Sequence, residues 1–240
     1  MNKGKIPSFR SHFDLGDLKI ADEKNLNSST QNAEILKTGT TTVGLVCKDG
    51  VCLATDKRAT GGLFVASKTA EKLNMIQPNL FMTIAGGVAD AQYLIEILKA
   101  ETNLYNLKKD KHISVKTAAT LLSNILFSNR GLFQVGLILG GYSEDEGPEL
   151  FDIGGLGSLL PDKFCSVGSG SPYAIGVLES KYTEELTVEQ GMKICAGAVR
   201  SAIIRDIASG NGIDVVGITK DGFNRKFYPI DKDPLAELQE

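Results

Sequence analysis

The order of short apolar runs and helical stretches constrains the fold more than any other feature of this sequence. An Asp-Gly dipeptide at 49–50 joins the runs Thr42–Lys48 and Val51–Asp56, and this dipeptide is the strongest short-range signal of a β-hairpin. Further runs of β type lie at Lys72–Ile76, Leu80–Ala85, Phe133–Tyr142, Leu150–Ile153, Phe164–Val167, Ile213–Thr219 and Phe223–Tyr228. Because most consecutive runs are separated by short turns, the strands should pair mainly antiparallel.

Two pairs of helical stretches interrupt these strands. Val88–Lys109 carries apolar residues at helical spacing, and Ser114–Asn129 begins with a serine that can cap the helix. The second pair is Pro172–Lys181 and Val188–Ser209, the latter preceded by a capping box of the type Thr-x-x-Gln. This order predicts an α+β protein in which layers of mainly antiparallel sheet have helices on their outer sides.

The N-terminal residues 1–37 differ in character from the rest of the chain. They are rich in Asn, Ser, Lys and Asp and show no sustained period of a helix or a strand. A segment of this composition cannot bury enough apolar surface to order itself. It is therefore either a disordered arm or a pro-segment that is removed.

The scarcity of histidine excludes several kinds of catalysis. The 240 residues include two histidines, His12 and His112, and both lie in polar surroundings where we expect surface positions. Serine and cysteine triads need a histidine base, and most transition-metal sites need imidazole or paired cysteines. A hydrolase with this sequence would therefore use another base.

The net charge limits the classes of binding partner that the sequence predicts, and the cysteines indicate the cellular compartment. A net charge of −3 gives no basic surface for nucleic acid or an acidic membrane. The cysteines lack metal-type spacing, so we expect reduced core residues of an intracellular, cytoplasmic protein that needs no metal. They are Cys47, Cys52, Cys165 and Cys195.

Two glycine-rich stretches could in principle bind phosphate. Gly168–Ser171 precedes a helix and could present backbone N–H groups to an anion, but it lacks the Lys-Ser/Thr ending of a P-loop. Gly154–Gly157 lacks the spacing of a dinucleotide-binding motif and is interpreted as a tight turn. Neither stretch predicts a nucleotide cofactor.

A threonine cluster opens the first strand immediately after a glycine, at Gly39-Thr40-Thr41-Thr42. Such a cluster usually reflects β propensity alone. Cutting between Gly39 and Thr40 would, however, expose a hydroxyl nucleophile together with a free α-amine. That amine can act as the base, so the pair requires no histidine.

Several motifs, in order and at near-family spacing, resemble a β subunit of the 20S proteasome, most closely the archaeal type. The resemblance covers residues 38–230 and rests on the combination of motifs, since each alone is weak. The motifs are Thr40-Thr-Thr-Val-Gly44, Ala54-Thr-Asp-Lys-Arg58, Lys72-Leu73, Thr83-Ile-Ala-Gly86, Asp90-Ala-Gln92, Gly168-Ser-Gly-Ser171, Arg205-Asp206 and Ser209-Gly210.

The resemblance implies the fold and the domain organisation. The fold would be the four-layer α-β-β-α sandwich of N-terminal nucleophile hydrolases, with two mainly antiparallel sheets. Residues 1–39 would be a pro-segment removed by self-cleavage, and 40–240 a single peptidase domain. The uncut chain would be an inactive zymogen.

The resemblance also implies roles for individual residues. Thr40 would be the nucleophile, Lys72 the catalytic lysine and Asp56 its acidic partner, while Gly86 would donate its N–H to the oxyanion. Asp56 ends an apolar strand whose alternation should point it into a layer interior. The supporting polar residues would be Ser169, Asp206 and Ser209. The pocket for the substrate side chain would be lined by Ala59, Thr60, Ala70, Ile84 and Val88, which suits cleavage after apolar residues.

The implied protein is a threonine endopeptidase that is itself independent of ATP and needs no cofactor. It would act on unfolded polypeptides inside a chamber of seven-membered β rings capped by rings of proteasome α subunits, with a regulatory ATPase as an indirect partner. Two related alternatives are a non-catalytic ring subunit and the bacterial two-component threonine peptidase. An unrelated α+β binding module would require the whole motif set to be coincidence.

Overall fold

A computed structural model describes residues 39–230 and 234–235 of the chain. Apart from Gly39, the expected pro-segment lies outside the described residues, as does His12. The described strands are β1 (Thr42–Cys47), β2 (Gly50–Asp56), β3 (Ala59–Gly61), β4 (Phe64–Ser67), β5 (Leu73–Gln77), β6 (Leu80–Gly86), β7 (Val135–Ser143), β8 (Gly147–Gly154), β9 (Leu159–Pro161), β10 (Phe164–Val167), β11 (Ile213–Thr219) and β12 (Gly222–Tyr228). The described helices are α1 (Val88–Lys109), α2 (Val115–Ser128), α3 (Ser171–Lys181) and α4 (Val188–Arg205).

The strands form two five-stranded sheets and one short two-stranded ribbon. The first sheet has the order β10-β1-β2-β11-β12, the second has the order β5-β6-β7-β8-β9, and β3 pairs with β4. Every pairing is antiparallel. The mainly antiparallel arrangement predicted from the short turns is therefore confirmed.

Each sheet buries one face against a pair of helices. Helices α1 and α2 cover the second sheet, where residues such as Leu94, Leu98 and Leu122 pack on Leu80 and Leu137. Helices α3 and α4 cover the first sheet and pack on the helix-facing side chains of β1, β2 and β11. Within the described part of the chain, no helix is both long and apolar enough to cross a lipid bilayer.

The other faces of the two sheets pack against each other. This middle layer of side chains includes Leu53, Phe81 and Ile138, all of which are buried. Gly44 lets the sheets approach closely, because a Cβ there would lie 2.6 Å from Leu150 Cδ1 of the opposite sheet. The result is a four-layer α-β-β-α sandwich, so the predicted fold class is confirmed.

Most predicted elements are present, and the exceptions concern short strands and one helix end. The expected bounds of α1 and the serine cap of α2 at Ser114 are confirmed. The ribbon of β3 and β4 was not predicted, because Gly61-Gly62 interrupts its apolar pattern. Strand β9 was also missed, since it has three residues.

The prediction that the last long helix continues to Ser209 was wrong. Helix α4 ends at Arg205, and Asp206 follows in an extended conformation as its C-cap. The Asp206 carboxylate accepts hydrogen bonds from the Ala208 N–H and the Ser209 hydroxyl. These local bonds compete with continuation of the helix, although Ile207 and Ala208 prolong its apolar pattern.

All four cysteines are buried free thiols, as expected from their apolar neighbours. Burial raises the pKa of the Cys52, Cys165 and Cys195 thiols, which keeps them protonated and unreactive. His112 is exposed, also as expected.

Two leucines of helix α1 test whether packing of its buried face contributes to the free energy of unfolding. Leu98 is 0% exposed and Leu107 is 85% exposed, so the same Leu→Ala change can be compared on one helix. Leu98→Ala should lower the free energy of unfolding by about 2–5 kcal/mol, because it leaves a cavity in the core. Leu107→Ala should change it by less than about 0.5 kcal/mol. Urea denaturation followed by circular dichroism measures both, and equal losses would contradict the packing described above.

Candidate active site

The two sheets place the predicted site residues at a common end of the sandwich. In the first sheet, Thr42 pairs with Thr55 and with Val167, so the start of β1 lies beside the ends of β2 and β10. In the second sheet, Leu73 pairs with Thr83, which sets the start of β5 beside the end of β6. Residues that flank these strand ends can therefore meet although they are far apart in sequence.

Thr40 lies just before β1 and its side chain is buried, with 4% of the residue exposed. Its Oγ1 accepts a hydrogen bond from Lys72 Nζ at 2.8 Å and donates one to the Gly39 carbonyl oxygen at 2.7 Å. The hydroxyl therefore lies between an amine and the carbonyl group of its own preceding peptide bond. The predicted nucleophile is therefore adjacent to the carbonyl group of the predicted cleavage site.

Asp56, the last residue of β2, fixes the position of Lys72. Its Oδ1 accepts from Lys72 Nζ at 2.8 Å and from the Thr41 N–H at 3.0 Å. Its Oδ2 accepts from the N–H groups of Arg58 and Gly210, each at 3.0 Å. Because Asp56 is fully buried, as its strand alternation predicted, these four donors compensate for the loss of water around the carboxylate.

Burial lowers the pKa of Lys72 below the ordinary lysine value, since a charged amine is disfavoured where water is excluded. The charges of Asp56 and Asp206 act in the opposite direction and raise that pKa, while the charge of Arg58 lowers it further. The amine is therefore easier to deprotonate than an exposed lysine, yet it is held beside a carboxylate that favours its ammonium form.

A second group of polar residues surrounds the backbone nitrogen of Thr40. The Thr40 N–H donates to Ser169 Oγ at 3.2 Å. Ser169 Oγ and Ser209 Oγ each donate to Asp206 Oδ2 at 2.7 Å. The structure therefore brings Ser169, Asp206 and Ser209 together at the nitrogen that cleavage after Gly39 would turn into an amine.

The glycines of the 168–171 stretch make room for the threonines. A Cβ on Gly168, whose φ is +113°, would lie 2.1 Å from the Thr40 carbonyl oxygen. A Cβ on Gly170 would lie 2.0 Å from Thr41 Oγ1, and the Gly170 N–H donates to the Thr40 carbonyl at 3.3 Å. These contacts give the stretch a structural purpose other than phosphate binding.

Gly86 ends β6 with a φ of +103°, and a Cβ there would lie 2.2 Å from the Gln134 carbonyl oxygen. Both facts explain why the position is glycine. The contribution of its N–H to an oxyanion site stays a prediction.

The predicted pocket residues are distributed around this end of the sandwich. The Ile84 N–H donates to the Lys72 carbonyl at 3.0 Å, and Thr60 Oγ1 accepts from the Gly39 N–H at 2.9 Å. The Ala70 N–H bonds the Lys57 carbonyl at 2.9 Å. Ala59 is partly buried in β3, and Val88 is half exposed at the start of α1. A direct role of these five residues in holding substrate stays a prediction.

Sequence reasoning assigned no role to Arg58, which fastens the loop after α4 to the end of β2. Its Nη1 donates to the Ile207 carbonyl at 2.7 Å, and its Nε donates to Asn211 Oδ1 at 3.0 Å. The guanidinium lies against Gly210, where a Cβ would be 2.3 Å from Nη2. The motif Ala54–Arg58 contained this arginine, but nothing local indicated a partner about 150 residues away.

Comparison with known proteins places the chain among proteasome subunits. A protein-family model described as "Proteasome subunit" matches residues 36–218. The chain is 47% identical over 196 residues to proteasome subunit beta 2 of Aeropyrum pernix, covering 81% of this chain and 89% of that protein.

Two further relatives extend the agreement. The chain is 48% identical over 212 residues to the proteasome subunit beta of Methanosphaera stadtmanae, covering 88% of this chain and 98% of that protein. It is 50% identical over 186 residues to that of Methanocaldococcus jannaschii, covering 77% of this chain and 83% of that protein. Family match, identity and fold agree, and the chain belongs to the proteasome subunit family, with β subunits as its relatives.

Proposed function

We propose that this chain is a catalytic proteasome β subunit, a threonine endopeptidase that activates itself by cutting the bond between Gly39 and Thr40. One observation carries the proposal. Thr40 Oγ1 lies within hydrogen-bond distance of Lys72 Nζ while touching the carbonyl group of the bond to be cut. A structural threonine would not need a buried lysine and a buried carboxylate beside it.

Self-cleavage would begin with attack of Thr40 Oγ1 on the carbonyl carbon of Gly39. The C–N bond between the two residues breaks, and an ester forms between the Gly39 carbonyl and Oγ1. The hydroxyl loses one proton and the nitrogen gains one, so the step is balanced. Water then hydrolyses the ester, which gives a carboxylate on Gly39 and restores the hydroxyl of Thr40. Residues 1–39 are released, and Thr40 becomes the N-terminal residue of the peptidase domain 40–240.

Peptide hydrolysis would repeat this chemistry on a separate substrate. The free α-amine of Thr40 takes the proton of Oγ1 as the oxygen attacks the substrate carbonyl, and it passes that proton to the leaving nitrogen. The Gly86 N–H stabilises the oxyanion. Water releases the acyl group from Oγ1, so threonine and amine are regenerated without a metal or a cofactor.

Lys72 and Asp56 would tune this pair electrostatically. An ammonium at 2.8 Å from Oγ1 stabilises a developing alkoxide and disfavours protonation of the neighbouring α-amine. Asp56 keeps Lys72 in position and favours its charged form. Ser169, Asp206 and Ser209 orient the amine.

Substrates and assembly are part of the same proposal. The small or apolar residues Ala59, Ala70, Ile84 and Val88, with Thr60, suit cleavage after apolar side chains. We further propose that copies of the chain form seven-membered rings that stack with rings of α subunits in the cytoplasm. Unfolded polypeptides, delivered by a regulatory ATPase, would be cut inside the enclosed chamber.

Replacing Thr40 tests the nucleophile. Co-expressed with proteasome α subunits, the unaltered chain should begin at Thr40 after assembly. Thr40→Ala should keep residues 1–39 and hydrolyse a fluorogenic peptide about 10,000-fold more slowly, since removal of a nucleophile has effects of this order or larger. Intact mass and N-terminal sequencing give the processing state. Thr40→Ser, which keeps a hydroxyl, should be cut, and an unaltered particle that cleaves peptides while retaining residues 1–39 would exclude the mechanism.

The pH dependence tests the electrostatic role of Lys72. If the ammonium form is required, kcat/KM should fall as pH rises through the pKa of Lys72, at a pH below the ordinary lysine value of 10.5. Asp56→Asn removes a charge that raises this pKa, so the alkaline limb should move to lower pH. Arg58→Gln removes a charge that lowers it, so the limb should move to higher pH. The measurement is a pH–rate profile of assembled, fully processed particles.

Variants at Lys72 itself provide the control for this profile. Lys72→Arg retains a charge at every accessible pH, because guanidinium does not titrate in this range. Its residual activity should therefore lack the alkaline limb. Limbs that move in the same direction in Asp56→Asn and Arg58→Gln would rule out an ammonium-dependent step.

A further inference from the structure

Gly39, the residue before the bond to be cut, lies in a narrow space between β3 and the loop after α4. Its N–H donates to Thr60 Oγ1 at 2.9 Å, and Thr60 is 7% exposed. On its other side, an ideal Cβ on Gly39 would lie 1.8 Å from Ala208 Cβ and 3.0 Å from Ser169 Oγ. Any side chain at this position would therefore collide with Ala208.

The space around Gly39 excludes a side chain. The nearest obstacle to a Cβ is the Ala208 methyl group at 1.8 Å, and the Ala208 Cα and Ser169 Oγ lie at 3.0 Å each. At Gly168 and Gly86 a positive φ favours glycine in addition to the lack of space.

The loop that carries Ala208 is held too firmly for that methyl group to move aside. The Ala208 N–H donates to Asp206 Oδ1 at 3.2 Å, and the carbonyl of the preceding Ile207 accepts from Arg58 Nη1 at 2.7 Å. The Gly210 N–H is bound to Asp56 Oδ2 at 3.0 Å. A bulkier residue 39 would have to move itself, and with it the carbonyl group that Thr40 attacks.

We infer that the Thr60 hydroxyl and the Ala208 methyl group form a slot that selects glycine before the self-cleaved bond. The inference rests on the proposed self-cleavage between Gly39 and Thr40. Thr60 fixes the Gly39 amide by its N–H, and Ala208 admits a residue without Cβ. The slot shares Thr60 with the pocket proposed for the substrate side chain, whereas Ala208 belongs to the slot and not to that pocket.

A pair of compensating substitutions tests the slot. Gly39→Ala should slow self-cleavage by roughly 100-fold, the size of effect that a displacement of about 1 Å can have. The double variant Gly39→Ala/Ala208→Gly removes the colliding methyl group and should be cut at a rate within about tenfold of the Ala208→Gly single variant, because most of that misplacement is relieved. Rates are measured by intact mass during assembly with α subunits.

A matched control removes a methyl group elsewhere. Ala66 is exposed in β4, so Gly39→Ala/Ala66→Gly should be cut as slowly as Gly39→Ala. Rescue by Ala66→Gly, absence of rescue by Ala208→Gly, or normal cutting of Gly39→Ala would each overturn the steric part of the inference.

Thr60 is tested by a conservative pair. Thr60→Val removes the acceptor for the Gly39 N–H and should slow self-cleavage about tenfold, whereas Thr60→Ser keeps the hydroxyl and should restore most of the rate. Equal rates for Thr60→Val and Thr60→Ser would contradict the assigned hydrogen bond. The unaltered chain separates failure of the proposed function from failure of the slot. If the unaltered chain is never cut after Gly39, the proposed function fails. If the unaltered chain is cut but Ala208→Gly does not rescue Gly39→Ala, the slot alone fails.

Discussion

The buried carboxylate of Asp56 is the interaction on which the rest of the site depends. A fully buried charge is costly unless donors surround it, and four do so here. They come from Thr41 just before β1, from the turn after β2, from the loop after α4 and from Lys72 just before β5. Satisfying one charge therefore fixes four separate parts of the chain, including Lys72, which donates to the hydroxyl of the proposed nucleophile.

The layered fold makes this convergence geometrically simple. Antiparallel pairing returns each strand to the end at which its partner began, so several chain segments enter and leave at one end of each sheet. The close packing of the sheets, which small residues such as Gly44 permit, brings Lys72 of the second sheet to Asp56 of the first. A β subunit of the proteasome family thus gathers distant residues without a long specialised loop.

The sequence predicts the fold class, because turn chemistry and apolar periodicity are local signals. The hairpin at Asp49-Gly50 and helix α1 are such cases, and both are confirmed. What local patterns cannot supply is the pairing of residues far apart, such as Thr40 with Ser169 or Gly39 with Ala208. The end of α4 was missed for the same reason: the Asp206 carboxylate bonds to Ser169, 37 positions earlier, as well as to its own turn. The resemblance identified the candidate residues, whereas their contacts required the folded chain.

The direction of the hydrogen bonds around Ser169 has a consequence for the proposed amine base. Ser169 Oγ lies 2.7 Å from Asp206 Oδ2 and 3.4 Å from the Thr40 carbonyl oxygen, so its single hydrogen has oxygen acceptors and toward the Thr40 nitrogen the serine is the acceptor. Before cleavage, the amide nitrogen of Thr40 donates its N–H to Ser169 and has no usable lone pair. After cleavage, the proposed amine could donate one of its N–H groups to the same serine oxygen, and this bond does not use the nitrogen lone pair. The same acceptor that binds the peptide nitrogen before cleavage would thus leave the lone pair of the proposed amine free to take a proton.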